Sequence, residues 1–256
     1  MSIREPAPGK SRARTDAGGS ACVEICAKRT AYAPATMAGD RADPERAARE
    51  RMVASQLEAR GIADERVLEA MRAVPREAFV PDWRRELAFI DGALPIQAGQ
   101  TISQPYIVAR MTELLRPEPD NRILEIGTGS GYQAAILAHL GCRVVTFERQ
   151  AELAATAREL LSALGYGGSV DVRLSDGSLG DPAGSPWDGI IVTAAAPAVH
   201  QELRDQLADG ARLVIPVGPR DHQDLVIVER HGNEWREWSD GPCVFVPLVG
   251  AGGFRD

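Results

Sequence analysis

The chain is poor in several residue types, and each shortage excludes a class of protein. Its four cysteines, Cys22, Cys26, Cys142 and Cys243, have neither the spacing of a metal site nor that of a disulfide framework. A reduced, cytoplasmic setting is therefore expected. No apolar run approaches the roughly 18 residues that span a membrane, and no secretory leader is recognised. Neither export nor membrane anchoring is predicted.

Positive charge is also scarce. Lys10 and Lys28 are the only lysines, and the net charge is −7. Residues 1–46 contain eight Lys/Arg and six Asp/Glu, so residues 47–256 carry a net charge of −9. An acidic body without a basic stripe argues against nucleic acid as a partner.

The N-terminal segment differs from the rest of the chain. Residues 1–45 have almost no large apolar side chains and no periodicity. Because such a segment cannot bury enough surface to offset the entropy of ordering, it is predicted to be a disordered extension. From Pro44 to Arg60 the pattern becomes helical, and Asp64 is placed to cap a second helix that ends before Pro75.

A glycine-rich turn, R-I-L-E-I-G-T-G-S-G-Y at residues 122–132, is the most informative stretch. A short apolar run ends in Glu125 and Ile126, alternate glycines follow, and a helix is predicted over residues 133–140. Glycine permits positive φ and lets a ligand touch the main chain. The helix N-terminus adds unpaired N–H groups and a partial positive charge. The turn is therefore predicted to hold an anionic or strongly polar ligand.

Acidic residues also end the next two predicted strands. Glu148 closes the strand at 143–148, and Asp176-Gly177 follows the strand at 169–174. Glu148 is placed to accept hydrogen bonds from ribose hydroxyls, and Asp176 is placed to face an adenine amino group. The spacing E-x-G-x-G-x-G differs from the dinucleotide fingerprint. The combination resembles the S-adenosylmethionine (AdoMet) site of class I methyltransferases, with an ordinary βα turn as the alternative.

Strands and helices alternate through the rest of the chain, which predicts a parallel, doubly wound sheet. Seven strands are expected, and the last two, near 224–229 and 243–247, are joined without room for a helix. They should form a C-terminal antiparallel hairpin. The predicted fold class is α/β and Rossmann-like, with a doubly wound, mostly parallel seven-stranded sheet over residues 117–256. A helical subdomain with a substrate loop, residues 46–116, precedes it.

The stretch G-Q-T-I-S-Q-P-Y at residues 99–106 supports two interpretations. Ser103 precedes a helix predicted over 104–115, with Pro105 in its first turn, so the hydroxyl fits a helix N-cap. Alternatively, the loop and the helix N-terminus hold a substrate carboxylate. The two are compatible if the hydroxyl serves both roles.

The chain offers the methyl acceptor no obvious base. The segment T-A-A-A-P at 193–197 lacks the acidic or amide residue and the aromatic residue of methyltransferases that act on base amines. No carboxylate cluster for a hard cation is recognised, so no metal is predicted. The histidines are scattered without ligand spacing: His139, His200, His222 and His231. A carboxylate is ionised at neutral pH and needs only alignment and exclusion of water. A carboxyl acceptor is therefore expected.

Six runs, in order across residues 46–252, resemble the protein-L-isoaspartate O-methyltransferase family. The runs are P-R-E-A-F-V (75–80), G-Q-T-I-S-Q-P-Y (99–106), L-E-I-G-T-G-S-G-Y (124–132), I-I-V-T-A-A-A-P (190–197), L-V-I-P-V-G (213–218) and F-V-P-L-V-G (245–250). T-I-S-Q-P is far more specific than the glycine turn.

The resemblance implies AdoMet-dependent methylation of the α-carboxylate of isoaspartyl residues in damaged proteins and peptides, after which the ester closes to a succinimide. Ser103 matches the active-site serine, expected to donate a hydrogen bond to the carboxylate. The implied cofactor contacts are Gln100, Thr101, Ile102, Glu125, Gly127, Gly129, Glu148, Asp176, Gly177 and Gln223. A cytoplasmic monomer without nucleic-acid or membrane partners is the expected form.

The chain departs from the family pattern at Gln97-Ala98, Ser175 and Asp181, which leaves loop closure and acceptor preference open. Two other functions stay open as hypotheses. One is methylation of an aspartate in a dedicated partner peptide to form an aspartimide. The other is a nucleotide-binding oxidoreductase or an inactive nucleotide-binding module.

Overall fold

The structure is a computed structural model that describes residues 43–255, and it begins with helices. α1 (Pro44–Met52) continues through a π-helical segment (Val53–Leu57) and a 3₁₀ turn (Glu58–Arg60), as the pattern predicted. α2 (Glu65–Ala73) is capped by Asp64, whose carboxylate accepts from the Arg66 N–H, so the predicted cap is confirmed. The disordered extension predicted for residues 1–45 lies, up to residue 42, outside the described residues.

An irregular connection leads from α2 to the first helix of the sheet domain. It contains 3₁₀ turns at Arg76–Phe79, Asp82–Leu87 and Gln97–Gly99. Two short strands, β1 (Leu94–Pro95) and β2 (Thr101–Ile102), pair antiparallel within it. α3 (Pro105–Leu115) follows, with Pro105 in its first turn.

The central sheet has seven strands in the order β5-β4-β3-β6-β7-β8-β9. Strands β3 to β7 run parallel, and β8 and β9 add an antiparallel hairpin. The strands are β3 (Arg122–Ile126), β4 (Arg143–Glu148), β5 (Val170–Leu174), β6 (Trp187–Val192), β7 (Leu207–Val217), β8 (Gln223–His231) and β9 (Glu234–Cys243), with helices α4 (Tyr132–His139), α5 (Ala151–Ala163) and α6 (Gln201–Asp205) between them. The predicted fold class is confirmed.

Side chains of the sheet alternate between two hydrophobic clusters, because successive residues of a strand point to opposite faces. Ile123 of β3 packs in the cluster that contains the apolar residues of α2, α3, α4 and α5. Leu124 faces the other cluster, with Trp187 and with Leu203 of α6. The helical subdomain at residues 46–116, called the helical preface below, therefore shares one core with the sheet.

The hairpin is present, but its last strand is not where the sequence predicted it. β9 spans Glu234–Cys243, whereas the apolar run at 243–247 leaves the sheet and crosses to the carboxyl ends of the parallel strands. The error has a physical cause. β9 is an edge strand with mostly exposed side chains, so hydrophobicity favours the more apolar segment that follows it.

One helix is also shorter than its pattern indicates. A helix near 198–208 is predicted, but α6 ends at Asp205 because β7 already begins at Leu207 and pairs with Trp187. Among the helices of residues 43–255, none combines the length and the apolar character of a membrane span.

Candidate active site

A cavity lies at the carboxyl ends of the parallel strands, where the strand order reverses between β3 and β6. Ligands of doubly wound sheets bind at this position because the loops diverge there. Its lining comes from residues 100–103, Val108 and Met111 of α3, residues 126–130, Tyr132, Gln133, residues 147–150, residues 175–178, Thr193, Ala194 and residues 246–249.

The glycine turn forms the floor of this cavity. Gly127, Gly129 and Gly131 have φ values of +99°, +53° and +88°. The Gly127 amide donates to the Phe147 carbonyl over 2.9 Å, which holds the turn against the end of β4. A Cβ on Gly127 would lie 2.5 Å from Thr193 Oγ1, whose hydroxyl donates to the Gly127 carbonyl. Glycine is therefore required there for both backbone conformation and space.

Glu148 ends β4 beside the turn, as predicted. Its side chain is buried, and its two oxygens accept from the backbone amides of Gly129 and Gln150, each over 2.9 Å. The carboxylate thus connects the glycine turn to the start of α5. Each oxygen keeps a lone pair that can accept from a ligand hydroxyl.

Asp176 and Gly177 follow β5 at the far end of the cavity. The Asp176 carboxylate accepts from the backbone amides of Ser178 (2.9 Å) and Ala251 (2.8 Å). Partial burial opposes ionisation, but the hydrogen bonds from Ser178 and Ala251 outweigh it and lower the pKa of Asp176. A Cβ on Gly177 would lie 2.5 Å from Phe147 Cβ, so the Phe147 side chain packs directly on this backbone.

Ser103 lines the cavity from the opposite side, and the N-cap interpretation is wrong. α3 begins at Pro105, its cap position is Gln104, and no side chain of residues 43–255 caps it. The Ser103 hydroxyl has no hydrogen-bond partner within residues 43–255, because the preceding β2 pairing and Pro105 place the serine one residue too early to cap. Its hydroxyl is therefore available to a ligand.

Glu125 lies beneath the floor rather than in the lining. It is fully buried in β3, and neither carboxylate oxygen has a hydrogen-bond partner among the described residues. Burial raises the pKa of Glu125 to about 8, with the nearby Thr146 hydroxyl opposing this shift and the charge of Glu148 adding to it. At neutral pH the side chain is therefore mostly a neutral acid.

The raised pKa of Glu125 predicts a pH dependence of stability. In the unfolded chain Glu125 has its ordinary pKa of 4.5, against about 8 when folded. Between these values the folded chain binds more protons, so the free energy of unfolding falls as pH rises, by at most about 1.4 kcal/mol per unit. Glu125→Gln is expected to remove this pH dependence. The free energy of unfolding of the variant should therefore increase relative to that of the parent as the pH is raised from 5 to 8.

Urea unfolding without cofactor at pH 5, 6.5 and 8 measures this effect. Glu159→Gln, on the exposed face of α5, is the matched control and should follow the parent curve. A constant difference between Glu125→Gln and the parent at all three pH values contradicts the prediction.

Gln223 also lies outside the lining. It is buried, its amide nitrogen donates to the Pro219 carbonyl (2.6 Å), and its oxygen accepts from the Phe245 amide (2.8 Å). Both ends of the side chain thus bind backbone. Gln223 fixes the start of the segment 246–249, which does line the cavity.

Several lining residues were not predicted individually. Leu248 and its neighbours reach the cavity because the Leu248 amide donates to the Ala195 carbonyl at the end of β6 (2.7 Å). Thr193 and Phe147 support the glycine turn as described above. The runs F-V-P-L-V-G and I-I-V-T-A-A-A-P were signals for Leu248 and Thr193, but spacing does not reveal which remote segment closes a site.

The three departures from the family pattern have different surroundings. Ala98 has a positive φ of 53° in the loop before Ser103. Ser175 lines the cavity, and its amide donates to the Glu148 carbonyl (3.0 Å). Asp181 lies outside the lining and forms an ion pair with Arg173 (2.8 Å).

Comparison with known proteins identifies the family. Residues 47–253 match the family described as protein-L-isoaspartate(D-aspartate) O-methyltransferase. The chain belongs to this family. A protein-L-isoaspartate O-methyltransferase from Methanoregula boonei is 53% identical over 208 residues, which cover 81% of this chain and 95% of that relative. The match favours methyl transfer over the oxidoreductase hypothesis.

Two solved structures share the fold of this chain. A structure named protein-L-isoaspartate O-methyltransferase superposes with a TM-score of 0.72 at 26% identity, covering 80% of this chain and 67% of the other. A Plasmodium falciparum protein in complex with S-adenosyl-L-homocysteine has a TM-score of 0.67 at 24% identity, covering 78% of this chain and 98% of that protein, and shows the shared fold.

Proposed function

We propose that this chain transfers a methyl group from AdoMet to the α-carboxylate of L-isoaspartyl residues in damaged proteins and peptides. The ester formed then closes to a succinimide, which initiates repair. One observation carries the proposal beyond family membership. The serine loop at 100–103 and the glycine turn at 126–130 line the same cavity, so an acceptor and a methyl donor can meet there.

The residues of the cavity fit AdoMet. Gly127 and Gly129 line the cavity without side chains, so their main chain is open to the methionine part. Glu148 has lone pairs for the ribose hydroxyls. Asp176 and Gly177, packed on Phe147, form a partly apolar end suited to adenine. When bound, AdoMet supplies an electrophilic methyl group on a sulfonium sulfur.

Gln100, Thr101 and Ile102 complete the proposed cofactor contacts from the loop side. They precede Ser103 and form the upper wall of the cavity, with Ile102 paired to Leu94. In this proposal Glu125 and Gln223 make no direct contact with AdoMet, because neither lines the cavity. Glu125 supports the floor as a neutral acid, and Gln223 holds the segment that ends in the wall at 246–249.

The acceptor chemistry follows from the ionisable groups around the cavity. Despite partial burial, hydrogen bonds from Ser178 and Ala251 lower the pKa of Asp176, and burial raises the pKa of Tyr132 to about 12, so neither is a base at neutral pH. The two oxygens of Glu148 already accept from backbone amides. An isoaspartyl carboxylate is already ionised and attacks without deprotonation. The chain has to align oxygen, methyl carbon and sulfur and to exclude water. Ser103 donates its hydroxyl hydrogen to the carboxylate and so fixes its position.

Transfer of labelled methyl from AdoMet to two synthetic peptides tests this function. The peptides are identical except for isoaspartate or aspartate at one position, and the product is scored as base-labile methanol. Label is expected on the isoaspartyl peptide alone, because only that peptide has a free α-carboxylate at the varied position, whereas the free group of aspartate is the β-carboxylate. Transfer to neither peptide, with AdoMet bound, contradicts general repair and favours the aspartimide-forming alternative with a dedicated partner.

A cytoplasmic, monomeric enzyme without nucleic-acid or membrane partners is part of the same proposal. The net charge of −7 disfavours a nucleic-acid partner. Cys142 and Cys243, the two cysteines within residues 43–255, are not joined in a disulfide, which is compatible with a cytoplasmic setting. Sedimentation of the purified chain, alone and with RNA, measures the oligomeric state and shows whether the chain binds RNA; a monomer that does not bind RNA is expected.

A further inference from the structure

Arg76 is a buried arginine whose charge is not neutralised by an acid. Its side chain is 0% exposed, and no carboxylate of residues 43–255 forms an ion pair with it. Burial lowers the pKa of Arg76 only to about 10, so the guanidinium is charged at neutral pH. Removing such a charge from water is unfavourable unless its hydrogens are used, so its position calls for an explanation.

The hydrogen bonds of Arg76 lead to the serine loop. Its Nη2 donates to the Ser103 carbonyl and its Nε to the Ala88 carbonyl, each over 2.8 Å. The guanidinium carbon lies 5.0 Å from the ring centroid of Tyr132, which lines the cavity. Its Nη1 has no hydrogen-bond partner among the described residues. Arg76 therefore connects the 3₁₀ turn that follows α2 to the backbone of the residue that faces the acceptor.

A second buried arginine nearby shows what a purely structural role looks like. Arg49 on α1 forms a buried ion pair with Glu77 and donates from Nε to the Arg72 carbonyl (3.0 Å). These contacts join α1 to α2 and involve no cavity residue. Glu77, which follows Arg76 in sequence, is therefore the ion-pair partner of Arg49 and not of Arg76.

Few other contacts hold the Ser103 backbone. β2 is only two residues long, and its pairing with β1 ends at Ile102. The next side-chain contact in sequence is from Gln104, whose amide donates to Asp91 Oδ1 (2.6 Å). Because the Ser103 hydroxyl has no hydrogen-bond partner in the described part of the chain, its direction is set by the backbone that Arg76 fixes.

We propose that Arg76 is a positioning residue for the methyl acceptor, acting through its hydrogen bond to the Ser103 carbonyl. This proposal rests on the proposed function and deepens it. The planar guanidinium fork reaches the Ser103 and Ala88 carbonyls together, which a lysine ammonium cannot reproduce. Arg76 touches neither reacting group, so it governs how the carboxylate is aligned rather than the chemistry itself.

Arg76→Lys, compared with Arg49→Lys, tests the proposal. Arg76→Lys is expected to lower kcat on the isoaspartyl peptide about tenfold, as a displacement of less than 1 Å would do. The Kd for S-adenosylhomocysteine should stay near the parent value. Arg49→Lys should lower Tm without lowering kcat, since the contacts of Arg49 with Glu77 and with the Arg72 carbonyl involve no cavity residue.

Two further measurements separate positioning from stability. In a Ser103→Ala background, Arg76→Lys should lose most of its effect on kcat, because the hydroxyl that it positions is gone. Amide hydrogen exchange across residues 99–104 should accelerate in Arg76→Lys and not in Arg49→Lys. The exchange result requires no substrate, so it tests the positioning even if the parent enzyme transfers no methyl group and the proposed function fails.

The opposite results overturn the inference. A parent-like kcat and parent-like exchange in Arg76→Lys, with only a fall in Tm, make Arg76 a structural residue like Arg49. Equal effects of Arg76→Lys with and without the Ser103 hydroxyl lead to the same conclusion. If Arg76→Lys does not fold, Arg76→Gln, which keeps a donor for one carbonyl, is measured in the same way.

Discussion

Replacing Ser103 by alanine is expected to lower kcat for methyl transfer about 100-fold, the size of effect that follows from misplacing one reactant by about 1 Å. The Ser103 hydroxyl lines the cavity without a hydrogen-bond partner among residues 43–255, so it is free to bind the carboxylate and its loss leaves the carboxylate unaligned. The Kd for S-adenosylhomocysteine should change little, because the turn at 126–130 and Glu148 are untouched. Steady-state kinetics on the isoaspartyl peptide and calorimetry measure the two quantities.

Two variants control for this result. Ser103→Thr keeps a hydroxyl and should retain more activity than Ser103→Ala. Ser55→Ala removes an exposed serine hydroxyl that donates only to the Arg51 carbonyl, far along the chain in the helical preface, and should have parent activity. Equal losses of kcat and cofactor affinity in Ser103→Ala would instead identify Ser103 as a structural residue of the loop.

Gly127→Ala is expected to weaken binding of S-adenosylhomocysteine about 100-fold. The φ of +99° is unfavourable for alanine, and the new Cβ would lie 2.5 Å from Thr193 Oγ1. The turn relieves this strain by moving, and a ligand that needs the parent conformation must restore it. A restoration cost of about 3 kcal/mol corresponds to this change in Kd.

Gly61→Ala is the matched control for Gly127→Ala. Gly61 has a φ of +89° at the end of the first helical segment, but a Cβ there meets no atom within 4 Å. It carries the same backbone penalty outside the cavity, so it should lower Tm and leave ligand affinity unchanged. If both variants bind S-adenosylhomocysteine as the parent does, the turn at 126–130 does not hold the cofactor in the proposed way.

The sequence alone predicted the features that depend on local pattern. Alternation of strands and helices indicated the doubly wound sheet, and Asp64 indicated the start of α2. Acids at the ends of successive strands meet at one edge, because the carboxyl ends of parallel strands coincide there. The sequence therefore predicted that Glu148 and Asp176 lie close together, and both line the same cavity.

Tertiary structure decided the contacts that join distant segments. It placed Ser103 outside the helix cap, buried Glu125 beneath the floor and brought residues 246–249 back across the end of β6. It also brought Arg76 to the Ser103 carbonyl. A run of sequence encodes the conformation and polarity of its own residues, but such contacts depend on how elements far apart in the chain pack together. For that reason the sequence predicted that the serine loop, the glycine turn and the ends of β4 and β5 contribute to one site. Only the fold determined which side chains reach the cavity and that residues 246–249 close it.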